Sequence, residues 1–119
     1  MTPPYTEKPS HRFPGKLDML AQFGLDPDVE DDAVPSLSYK FISGDEMSMI
    51  VTYSDLIHFV DVTLSVGEDE VFSIATNDVA EMRICAERGA CWLQVAYEPE
   101  RRLQDLYIYI EPKLSCRWG

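Results

Sequence analysis

Asp26, Asp28 and Glu30 fall at alternate positions, the spacing at which an EF-hand loop presents its first three oxygen ligands to calcium. The likeness ends quickly. The sixth position is Asp31 where the loop's sharp turn needs glycine, the twelfth is Leu37 where a bidentate glutamate belongs, and Pro27 sits inside. A calcium site would have to be assembled from separate turns. His58 lies near Asp55 and Asp61, and a histidine–carboxylate pair is the beginning of acid–base machinery. Nucleophilic catalysis would also need an activated serine or cysteine, and no signature such as G-x-S-x-G marks one. His58 alternates in phase with Val60 and Val62, which predicts a partly buried structural histidine and no catalytic residue. Cys85, Cys91 and Cys116 match no zinc spacing, and an odd count without a secretory signal predicts reduced, buried thiols. If Asn77–Gly89 is a strand, Cys85 would face Cys91 across a Glu87–Gly89 turn, close enough for a strained, reducible bridge. Neither a metal nor a cofactor is expected.

Charge is the stronger signal. From Leu17 to Met82 there are fifteen Asp or Glu against one base, Lys40, a local net of −14 in a chain whose total is −11. The flanks are close to neutral: +2 before Leu17, and six bases against five acids from Arg83 onward. Like charges at this density repel one another and oppose compaction, so a basic partner is the simplest reason to keep them. Both an anionic membrane surface and nucleic acid phosphates would repel the chain, which argues against direct binding to either, and no isolated basic groove is visible to override it.

Those carboxylates need elements to hold them. The 119 residues, 45% hydrophobic, suit a single folded domain with one core. Residues 1–16 are proline-rich and predict an extended arm, and residues 17–119 a single β-rich domain. A short helix is expected over Lys16–Phe23, with Leu17, Leu20 and Ala21 on one face and Gly24 as its stop. Asp26–Asp32, closed by Pro35, reads as a charged loop. From Ser36 the period becomes two: Leu37, Tyr39 and Phe41, then Met49, Val51 and Tyr53, then Val60, Val62 and Leu64. The pattern predicts a mainly β fold, an antiparallel meander of seven or eight strands closed as a sandwich or barrel. Asn77–Gly89 also carries helix grammar, but sustained alternation of Ala80, Met82, Ile84 and Ala86 favours a strand. Tyr107 and Tyr109, with Trp92 and Trp118, are expected to pack a second apolar face or to anchor a partner.

In such a meander alternate turns share one end of the sheet. Asp45 and Glu46 would therefore gather with Glu68, Asp69 and Glu70, and the loop bearing Asp26, Asp28, Glu30, Asp31 and Asp32 is free to join them. The opposite end would carry Asp55, Asp78, Glu98 and Glu100, partly neutralised by Arg101 and Arg102. In size and charge the chain is similar to the small acidic cytoplasmic inhibitors that bacteria make against toxins. That resemblance implies an immunity-type, non-enzymatic binding protein, a monomer or homodimer, whose carboxylates cover a basic site on a nuclease toxin or another nucleic-acid-handling protein. The competing expectations are an adaptor assembled through a sheet edge and the N-terminal arm, and a calcium- or small-ligand-binding β-domain.

Overall fold

A computed structural model describes residues 12–33, 35–44 and 46–119. Most of the N-terminal arm, and with it His11, lies outside the described residues, as does Asp45. The chain begins with α1 (Lys16–Phe23) and continues as β1 (Val29–Asp31), β2 (Ser36–Ser43), β3 (Met47–Ser54), β4 (Phe59–Val66) and β5 (Asp69–Thr76). It then forms β6 (Val79–Glu87), β7 (Ala90–Tyr97), a short 3₁₀ turn (Pro99–Arg101), β8 (Leu106–Glu111) and β9 (Ser115–Trp118). Strands β1 to β5 pair in chain order as one antiparallel sheet, and β6 to β9 pair in chain order as a second. The two meanders pack as a sandwich around one core, so the sandwich alternative holds over the barrel.

Alternation fixes the layers. In β3, Met49, Val51 and Tyr53 point inward and are buried, and in β7, Cys91, Leu93, Val95 and Tyr97 do the same. The ambiguous segment is a strand: β6 pairs with β7 from Val79 to Glu87, and the Arg88–Gly89 turn at φ 49 and 83 supplies the left-handed pair that a tight hairpin needs. The acidic loop is more ordered than its composition suggests. Val29–Asp31 pairs with Ser36–Ser38, because the open edge of β2 offers backbone partners that local propensity does not reveal.

Helix α1 has the expected limits but not the expected face. Met19 is fully buried while Leu17 is 80% and Leu20 43% exposed. The decisive contact is Phe23, one turn beyond Met19, whose ring meets Phe41 edge-on at 5.2 Å. The Gly15 N–H donates to Asp18 Oδ2 at the helix start, and Gly24 at φ 69 returns its N–H to the Leu20 carbonyl. Just before the helix, Phe13 is buried against Tyr53, whose hydroxyl donates to the Pro14 carbonyl at 2.7 Å.

Burial raises the Tyr53, Tyr39 and Tyr97 hydroxyls above the ordinary phenol range and pushes the Cys116 thiol up to about 11. Each group stays protonated in the folded chain at a pH where the unfolded chain has released its proton. Stability is therefore complete below the unfolded thiol and phenol values and falls as pH rises past them. Thermal melts between pH 8 and 11 should show a steepening alkaline loss, and a flat profile would contradict the burial of these groups.

Candidate protein-binding surface

Charge is sorted by layer. Residues 16–78, which build α1 and the first sheet, hold fourteen acids against Lys16 and Lys40, a net of −12. Residues 79–119, which build the second sheet, hold six acids and six bases. The first layer is thus strongly negative and the second neutral.

Within the first layer the acids form two groups. Gly44 at φ 64 and Gly67 at φ 62 turn the chain at the same end of the sheet, and the Gly67 N–H donates to the Glu46 carbonyl at 2.7 Å. That bond ties the β2–β3 turn to the β4–β5 turn, so Glu46, Glu68, Asp69 and Glu70 come together as alternation predicts. All four are exposed, and among the described residues none takes part in an ion pair. The loop acids go elsewhere. Antiparallel pairing with β2 carries Asp31 to Ser36, at the far end of the sheet. There Glu30, Asp31 and Asp32 line a cavity of about 410 Å³ with Asp55, against Pro14 and Tyr53. Glu30 is paired with Lys16 at 3.0 Å, and Asp31 Oδ1 accepts from the Ala33 N–H. Asp28 bonds through its N–H to the Ser38 carbonyl, and with Asp26 it leads the negative rim along the β2 edge. The expected single cluster is therefore two poles of one acidic layer, separated by the length of a strand. Asp78 is neutralised by Arg101 at 2.8 Å, as its position suggests.

The other candidate chemistry is accounted for by structure. His58 sits at φ 58 in the β3–β4 turn, and its Nδ1 donates to the Val79 carbonyl at 3.1 Å. The Val79 N–H in turn donates to the His58 carbonyl, so this residue joins the two sheets. Cys85 and Cys91 do not face each other. The hairpin turn has two residues, not three, so Cys85 pairs with Trp92 and Ala86 with Cys91. One residue of register inverts the face. Cys91 points into the core, and Cys85 points outward to Gln94 Oε1 at 3.7 Å, so all three thiols are free. Among the described residues no group of three or more His, Cys, Asp or Glu is arranged to hold a metal ion.

A second surface carries the aromatics for which both a packed apolar face and a partner anchor are expected. Trp92, Tyr107 and Tyr109 lie half-buried on the outer face of the second sheet, with ring centroids 5.6 Å (Trp92–Tyr109) and 6.3 Å (Tyr107–Tyr109) apart. Arg117 stacks over both tyrosines at 5.1 and 5.5 Å. Gln94 crosses between them, donating to Asp105 Oδ2 and accepting from the Trp92 indole N–H. Among the described residues no third layer covers this face. Trp118 belongs to the inner side, against Tyr97 at 5.6 Å.

No known protein family matches the chain, and no curated protein is significantly similar to it. A chain of a solved complex does share the fold. That complex is a contact-dependent growth inhibition toxin–immunity protein complex from Klebsiella pneumoniae 342, and the superposition has a TM-score of 0.80. It covers 91% of this chain and 95% of the other, at 17% identity. Likeness at that identity establishes a common architecture. Among the described residues no helix is long and apolar enough to cross a membrane.

Proposed function

We propose that this chain is an immunity-type inhibitor, a non-enzymatic protein that binds a toxin and occludes its basic, nucleic-acid-handling site. The observation that carries this reading is the sorting of charge: an acidic turn cluster that makes no ion pair among the described residues, on a layer of net −12, in a fold shared with a chain of a toxin–immunity complex. Glu46, Glu68, Asp69 and Glu70, with Asp45 next to Glu46 in the sequence, stand in for phosphates and steer the encounter. Asp26, Asp28, Glu30, Asp31 and Asp32 extend the negative surface along the β1 side. Of the two roles in such a complex, the inhibitor fits this chain, since its described histidine is committed to a structural bond and, among the described residues, no histidine is hydrogen-bonded to a thiol.

The inhibitor would act in the cytoplasm, where reduced thiols are stable. The experiment is co-expression with the toxin domain encoded beside this chain. Growth arrested by that domain should be restored by the chain, and the two should co-purify. Absence of rescue, or the absence of any toxin gene beside it, would overturn the reading.

A further inference from the structure

Four strands end the two sheets, and three of them offer a partner little. β1 has three residues and β9 four. β6 is covered: the Met82 N–H donates to the Arg12 carbonyl, and α1 lies across a groove lined by Phe13, Gln22 and Met82. β5 is different. It has eight residues, pairs with β4 on one side, and among the described residues pairs with no strand on the other. Residues 69–73 are exposed on both faces, including Val71 at 57% and Phe72 at 38%.

Sheets ordinarily blunt such an edge with lysine, proline or a bulge. This one has neither lysine nor proline. It carries a bulge, since Leu64 opposes Phe72 and Ser65 opposes Glu70, and it carries Asp69 and Glu70. Those two acids continue directly from the Glu46–Glu68 cluster. Two copies of a chain of net −11 repel at this edge, whereas a cationic strand is drawn to it.

We infer that the β5 edge receives an extended, basic segment of the partner protein, which joins the first sheet as a sixth strand. Backbone ladder bonds supply the affinity, basic side chains meet Asp69 and Glu70, and apolar ones cover Val71 and Phe72. The identity of the partner rests on the inhibitor reading. The backbone pairing does not.

The test is amide hydrogen exchange on the full chain with two short peptides of equal charge. One alternates lysine and valine, and the other has its central valines replaced by proline. With the first peptide the β5 amides that point away from β4 should exchange about tenfold more slowly, and the second should have no such effect. V71K, which places a lysine on the edge, should remove most of the protection while leaving the fold intact by circular dichroism. Equal protection by both peptides, protection elsewhere, or none would overturn the inference. So would protection, in the free chain, of the β5 amides that point away from β4. Growth rescue by the toxin experiment can fail while this result stands, and the reverse also holds, so the two failures are distinguishable.

Discussion

Reversing Glu46, Glu68, Asp69 and Glu70 together to lysine should slow association with the toxin about a hundredfold at low salt, with a much smaller change in dissociation. Each reversal shifts charge by two, so the four take the net from −11 to −3 and convert the turn cluster from attractive to repulsive. The fold should tolerate this. All four side chains are exposed, none gives up an ion pair among the described residues, and exposed substitutions of this kind usually alter stability by less than about 0.5 kcal/mol each. Stopped-flow association across a salt series reads the effect. The gap between wild type and variant should nearly close at 1 M salt, where the screening length is about 3 Å. A parallel variant reversing Asp31, Asp32 and Asp55 reports on the other pole. If the turn-cluster variant binds at the wild-type rate with the wild-type salt slope, the acids near Gly67 do not steer the partner.

Much of the fold was readable because period two is a strong signal wherever one face of a strand is buried. Tyr39, Phe41, Met49, Val51 and Tyr53 declare their inward face without help from context. The helix face was not readable. Its eight residues place Leu17 and Leu20 on one side and Met19 and Phe23 on the other, and only the position of Phe41 across the sandwich decides between them. The expected facing of Cys85 and Cys91 failed for a different reason: a hairpin turn of two residues instead of three inverts every side chain beyond it. Which of its two alternatives the aromatic face around Tyr107 takes was not legible, because alternation says that two faces exist but not whether a third layer covers the outer one. The acids divided along the same line. Turn positions follow from the meander, so the Glu46–Glu70 cluster was legible, while the Glu30–Asp32 loop was captured by the β2 edge through backbone bonds that side chains do not encode.

Met19→Ala should be the most destabilising single change at the N-terminal end, costing about 2–5 kcal/mol out of a total that for a domain of this size is about 5–15 kcal/mol. Met19 is the one helix residue fully excluded from water, and α1, at eight residues, is too short to hold its shape without packing. Its loss removes apolar burial, leaves a cavity, and loosens what the helix holds in place. Phe13 against Tyr53, the Pro14 carbonyl on the Tyr53 hydroxyl, and the Arg12 carbonyl on the Met82 N–H all lie within seven residues of it. Urea unfolding measures the cost, and exchange at the Met82 amide reports whether the edge of β6 opens before the sandwich does. Leu17→Ala is the control, since that side chain is 80% exposed two positions away and should change stability by no more than about 0.5 kcal/mol. Equal costs for the two substitutions would mean that the helix does not present Met19 to the core. A large cost at Met19 with an unprotected Met82 amide would mean that the segment before the helix is held by α1, and that the β6 edge stays closed only as long as this one side chain is buried.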